Sequence, residues 1–199
     1  MNISTIIAFI STYLICSINP AIEICKKKTG EDIRKLGSGN AGSANAIRIL
    51  GKPLGTLVIV LDISKVFLSY LAIFIISKIF KQDISNALRA SFILGSVIGH
   101  CYPIYYGLRG GKGVIVGMTA AFILEPKSAL ICIISGVLVI LITRTVAMGT
   151  LLGTIVYIIM ALFNSVANII PILIATAIIM FKHKNNIKRI LTRQEEKLW

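Results

Sequence analysis

The stretch YYGLRGGKGV, residues 105–114, sets four glycines and two cations between two apolar runs. Glycine lets backbone N–H groups come close to a ligand, and Arg109 and Lys112 add positive charge, so the turn suits a phosphate. Gly110, Gly111 and Gly113 are its candidate cradle. A nucleotide P-loop is excluded. That motif needs a glycine five residues before the Gly-Lys pair and a Ser or Thr after it, where this chain has Tyr106 and Gly113.

A second polar island, RKLGSGNAGSANAIRILGKP, spans residues 34–53. Its glycines bracket Ser38 and Asn40, two small side chains able to donate and accept hydrogen bonds. SANAIRIL then reads as a short helix with Ser43 as its expected N-cap, Asn45 and Arg48 on one face, and Gly51 and Pro53 ending it. Read alone, the island is equally well an ordinary solvated loop. Two glycine-and-cation loops on the same side of the chain argue for a site. His183 and Asn186 share a face if the last helix continues into the basic tail KHKNNIKR, whose other cations fit an anionic lipid surface. Arg144, near Thr143 and Thr150, reads first as a snorkelling anchor and second as a ligand. Asp62 and Lys65 stand three apart within an apolar run, where charges are costly and must pair. His100 reads either as a packed polar residue or as a base.

The elements that must position these residues are apolar helices. The 199 residues are 56% hydrophobic and 15% charged, with mean hydropathy +0.86 and net charge +13. That composition excludes an ordinary soluble domain. The basic excess is not matched by aromatic-plus-basic nucleic-acid motifs, so no nucleic-acid partner is expected. The four cysteines are far apart without a CxxC pair and read as packed thiols rather than a metal site. The N-terminus has no cation before its apolar run and is expected to be a retained first helix. Apolar segments fall at about 3–25, 54–79, 86–106, 114–124, 128–143, 146–163 and 168–181. The expected fold is all-α: one polytopic integral membrane domain over 1–199 with about seven transmembrane helices. Sixteen Lys and Arg residues follow odd-numbered segments or lie in the tail, against Lys78, Lys81, Arg89 and Lys127 on the other face. The positive-inside rule then puts the N-terminus outside and the C-terminus in the cytoplasm.

Segment four has 11 residues, about 16 Å of helix against a hydrocarbon core of about 30 Å. It reads either as half of a re-entrant hairpin or as a helix that starts at the glycine turn, below the membrane surface. The second arrangement is preferred, because it aims the positive helix end into a recessed cavity.

These residues together resemble the bacterial acyl-phosphate:glycerol-3-phosphate acyltransferase family over nearly the whole chain. GSGNAGSANAIRILGK (37–52) is similar to its first motif, GH (99–100) with GLRGGKGV (107–114) to its second, and TRTVAMGTL (143–151) to its third. KHKNNIKRIL (182–191) resembles the basic tail, and LDISK (61–65) a further segment. Ala44 and Ala147 depart from the usual Thr and Ser, and Lys182 from the usual Arg. The resemblance implies seven helices, a cytoplasm-facing site in the bacterial inner membrane, and transfer of a fatty acyl group from acyl phosphate to glycerol 3-phosphate. It implies no cofactor or metal. Ser38, Lys112, His183 and Asn186 are then the expected catalytic residues. Asn40, Asn45, Arg48, Arg109, Gly110, Gly111, Gly113, Arg144 and Thr150 are the expected substrate-binding ones. Expected partners are the two substrates, membrane lipid and the soluble enzyme that makes acyl phosphate. The rival class is a transporter or channel for a small organic phosphate, which glycine-broken segments with terminal cations would also suit. One-sided placement of the polar islands and the lack of a visible repeat weigh against it.

Overall fold

The computed structural model describes residues 2–164 and 166–197 and is all-helical among them. Ten α-helices follow in order: α1 Ile3–Cys16, α2 Pro20–Thr29, α3 Ser43–Leu50, α4 Lys52–Ile79, α5 Asn86–Cys101, α6 Val114–Leu124, α7 Pro126–Thr143, α8 Val146–Asn164, α9 Ile169–Lys182 and α10 Lys184–Leu191. Among the described residues, four candidate spans are long and apolar enough to cross a membrane: Ile3–Thr29, Lys52–Ile79, Pro126–Thr143 and Val146–Asn164. Val114–Leu124 and Ile169–Lys182 are shorter apolar helices.

Two boundaries differ from the expectation for local reasons. The first apolar run is two helices, because Pro20 has no N–H to continue α1 and instead opens α2 at N1. Asn19 caps that start, accepting from Ile22 N at 3.1 Å and donating to the Ala41 carbonyl at 3.1 Å. The third run stops as a helix at Cys101, two residues before Pro103. A pre-proline residue is pushed out of the helical region.

Apolar side chains face outward as well as inward. Phe67, Leu68, Leu138, Ile142 and Phe163 face outward, as a lipid solvent allows, while the closest helix crossings are made at glycines. A Cβ on Gly99 would meet the Tyr13 carbonyl at 2.6 Å, so α5 lies directly on α1. α7 and α8 cross with Gly136 against Gly149, where a Cβ would approach the opposing backbone just as closely. Around these contacts, Ala8, Val66, Ile73, Leu88, Phe92 and Val116 form one core cluster joining α1, α4, α5 and α6. Ile93, Val97, Ile172 and Ile179 form another, joining α5 to α9.

Candidate active site

The two polar islands fold against each other and are strapped together by Arg34. Its guanidinium donates to the carbonyls of Tyr106 at 2.6 Å and Arg109 at 3.0 Å, while Asp32 holds its other edge at 2.6 Å. Arg34 therefore ties the first loop to the glycine turn across more than 70 residues. Nothing in the sequence pattern distinguished it from neighbouring cations.

Between the loops lies a cavity of about 390 Å³. It is lined by Ser38, Asn40, Asn45, Arg48, Lys112, Gly113, Thr150, His183 and Asn186, nine of the residues expected to form a site. Ala44 and Ala147 line it too, so both departures face the cavity. The remaining four expected residues do not. Arg109 is exposed and offers only its carbonyl, to Arg34. Arg144 is an exposed left-handed C-cap of α7, φ 59°. The amides of Gly110 and Gly111 are spent on the carbonyls of Cys101 and His100, each at 3.2 Å, and so anchor the turn to the end of α5. The turn's free donors are those of Gly113 and the first turn of α6, which opens at the cavity with Gly113, Val114 and Ile115. Gly113 sits at φ +82°, a conformation that L side chains rarely adopt. The short fourth segment thus begins where its positive helix end meets the cavity.

The residues divide into those that build the site and those that face a ligand. Asn45 builds. Its amide nitrogen donates to the carbonyls of Leu36 at 3.0 Å and Asn40 at 3.1 Å, and its oxygen accepts from Ser38 N at 3.0 Å. That wraps residues 36–40 around α3 and leaves the Ser38 hydroxyl free for the cavity. α3 begins without a side-chain cap: Gly42 is its N-cap and Ser43 its first residue, which corrects the expected cap. Thr150 donates its hydroxyl to the Val146 carbonyl at 3.0 Å, within its own helix.

Lys112 reaches across to the tail, donating from Nζ to Asn186 Oδ1 at 2.6 Å. Burial lowers its pKa from 10.5 to about 8, opposed by Glu195 and assisted by Arg189. His183 sits at the junction of α9 and α10, 3% exposed. Its Nδ1 lies 2.8 Å from the Ile179 carbonyl, which can only accept, so Nδ1 carries the proton and Nε2 has a bare lone pair. Burial also lowers the His183 pKa.

Two acidic residues of the tail fold back onto these cations. Glu195 receives Asn186 Nδ2 and Arg189 Nε, each at 2.6 Å, and Glu196 pairs with Arg48. Both carboxylates line the cavity. Each carboxylate pairs with a different cation, Glu195 with Arg189 and Glu196 with Arg48. Arg189, Glu195 and Glu196 were missed by sequence reasoning; the available signal was an acidic pair closing an otherwise basic tail.

A second cavity, about 260 Å³, adjoins the first and shares Val114, Ile115, Val146 and Thr150 with it. Its walls are apolar, from α5 to α9, and include Val97, Gly117, Gly136, Gly153, Tyr157 and Ile172. A polar cavity carrying two carboxylate–cation contacts thus adjoins an apolar groove.

The sequence model of the family described as glycerol-3-phosphate acyltransferase matches residues 6–193. The chain belongs to the glycerol-3-phosphate acyltransferase family. The glycerol-3-phosphate acyltransferase of Clostridioides difficile (strain 630) is 34% identical over 198 residues, covering 98% of this chain and 96% of that one. The protein of the same description from Francisella tularensis subsp. holarctica (strain OSU18) is 34% identical over 199 residues, covering 100% and 95%. Among solved structures, the glycerol 3-phosphate form of PlsY, an integral membrane glycerol 3-phosphate acyltransferase, superposes with TM-score 0.87 at 34% identity. It covers 98% of this chain and 96% of its own. The lysophosphatidic acid form of PlsY superposes with TM-score 0.83 at 32% identity, with the same coverage.

Proposed function

We propose that this family member acylates glycerol 3-phosphate from acyl phosphate, in a cavity on the cytoplasmic side of a bacterial inner membrane. The observation that carries the reading is the junction of two anion subsites with one apolar groove. Each substrate brings a phosphate, and one of them brings an alkyl chain. Arg48 and the Ser38–Asn40 turn hold the acceptor through charge-assisted contacts. Lys112, Asn186, Arg189 and the α6 N-terminus hold the acyl phosphate, whose tail lies in the groove. The glycerol 3-phosphate and lysophosphatidic acid forms of the related PlsY support the acceptor and the product.

The acceptor hydroxyl attacks the acyl carbonyl carbon. The new ester C–O bond forms, the bond to the phosphoryl oxygen breaks, and inorganic phosphate leaves with lysophosphatidate as the lipid product. The bare Nε2 of His183 takes the hydroxyl proton and returns it to the departing phosphate. Lys112 and the helix dipole oppose the charge that grows on the leaving group. No metal or cofactor enters this scheme.

The other helices complete a bundle of about seven spans, N-terminus outside, supported by the sixteen-to-four basic asymmetry. The product enters the surrounding lipid, and a soluble enzyme supplies the acyl phosphate. The test is direct: purified protein, acyl phosphate and labelled glycerol 3-phosphate should yield labelled lysophosphatidate without added metal or nucleotide. Absence of product would overturn the reading.

A further inference from the structure

The chain has two histidines, and both meet the polar cavity. Their tautomers are held in opposite senses. His183 donates from Nδ1 and presents a lone pair, as described above. His100, on α5, is 4% exposed and presents the reverse arrangement.

The cause is Lys65. Its ammonium has three protons and no acceptor capacity. Three acceptors surround it: the Ile18 carbonyl at 2.7 Å, Asp62 Oδ1 at 2.7 Å and His100 Nδ1 at 3.0 Å. Asp62 balances the charge, with both side chains buried. His100 Nδ1 has two charged neighbours, Lys65 Nζ at 3.0 Å and Asp62 Oδ1 at 3.5 Å; the nearer is the ammonium, which has only protons to offer, so Nδ1 is the acceptor and the ring's proton sits on Nε2. Nε2 has no hydrogen-bond partner among the described residues. Gly111 packs on that edge, where a Cβ would overlap the ring, and its N–H donates to the His100 carbonyl. The charged groups about the ring are Asp62 and Lys65 from α4, Lys182 from α9, whose Nζ donates to the Cys101 carbonyl at 3.0 Å, and Lys112 from the turn. None offers Nε2 an acceptor.

We infer that His100 donates Nε2–H to an oxygen of the acyl phosphate, and that Lys65 and Asp62 are positioning residues that impose this tautomer. The identity of the ligand rests on the acyltransferase reading; the tautomer does not. The donor serves the carbonyl and phosphoryl oxygens, which gain negative charge as the tetrahedral intermediate forms and phosphate departs. His100 is thereby removed as a general base, since accepting a proton would set an imidazolium against the Lys65 ammonium.

The experiment has two independent arms. In the first, ¹⁵N NMR of histidine-labelled protein in micelles at pH 7.5, with His183→Asn for assignment, reads the tautomer of each ring. His100 should be a single Nε2–H species and His183 a single Nδ1–H species. An Nδ1–H or doubly protonated His100 in the wild type would overturn the inference. In the second, His100→Leu should lower kcat about 10²–10³-fold. His100→Gln, which restores an N–H donor but cannot act as a base, should recover at least about tenfold of that loss. Equal loss in both variants, each verified as folded by its thermal melt, would overturn the donor role. Wild-type protein making no lysophosphatidate would sink the acyltransferase reading while the NMR arm still decided the tautomer.

Discussion

Lys112 Nζ and Asn186 Oδ1 lie 2.6 Å apart, joining the glycine turn to the tail helix across 74 residues. The contact sets an ammonium in a half-buried place with one neutral partner, which is why its proton is held weakly. Lys112 is charged below about pH 8 and neutral above it. Catalysis needs the charge, so kcat/KM should fall as pH rises through about 8. In Lys112→Arg that alkaline limb should vanish from the measurable range, because guanidinium stays charged. The acid limb belongs to His183, which must be neutral; it should lie below the ordinary imidazole value of about 6.5 and be lost in His183→Gln. Rate profiles from pH 5 to 10 check both limbs.

Arg48 is half-exposed at the cavity mouth and pairs only with the tail among the described residues. Arg48→Ala should raise KM for glycerol 3-phosphate about 10- to 100-fold, as for loss of one charged hydrogen bond, with a smaller effect on the donor. Lys27→Ala, outside the cavity, should behave as wild type. Steady-state kinetics with each substrate varied in turn separates the two, and an unchanged KM would remove Arg48 from the acceptor subsite.

Glu195 and Glu196 pair with Arg189 and Arg48, cations that the proposed scheme assigns to the substrates. The Arg48–Glu196 contact is partly solvated, with side chains 43% and 66% exposed, so it is worth at most about 1 kcal/mol, whereas Glu195 is only 12% exposed. Glu196→Gln should therefore lower KM for glycerol 3-phosphate by no more than a few-fold, and high salt should erase the difference. A raised KM would show that the carboxylate assists binding rather than competes with it.

Topology is tested by cysteine labelling in a background cleared of Cys16, Cys25, Cys101 and Cys132. Lys35→Cys, Leu108→Cys and Arg193→Cys should label only from the cytoplasmic side, and Asp83→Cys only from the outside. Opposite labelling of positions 35 and 108 would break the shared cavity.

Helix content and the two glycine islands were legible because apolar runs and Gly-rich interruptions are local signals. So was the Asp62–Lys65 pair, since buried charges three residues apart in a helix must meet. Roles that depend on where a hydrogen bond goes were not legible. Asn45 looked like a ligand residue, yet its amide is consumed in holding the Ser38 turn. Gly110 and Gly111 looked like a phosphate cradle, yet their amides close onto α5. Arg34 and Glu195 act on partners far away in sequence or folded back from the chain end, and no spacing rule reports such contacts.

In the proposed scheme the two anion subsites serve two phosphates, one of them the leaving group. An acyl phosphate presents its dianion beside the reacting carbon, where Lys112 and the α6 N-terminus stabilise it as it departs. A coenzyme A thioester has no charge there. The decisive measurement is lysophosphatidate formed from labelled glycerol 3-phosphate with acyl phosphate or acyl-coenzyme A at equal concentration, without added metal. Product from acyl phosphate and little or none from the thioester is the predicted result; preference for the thioester would contradict it.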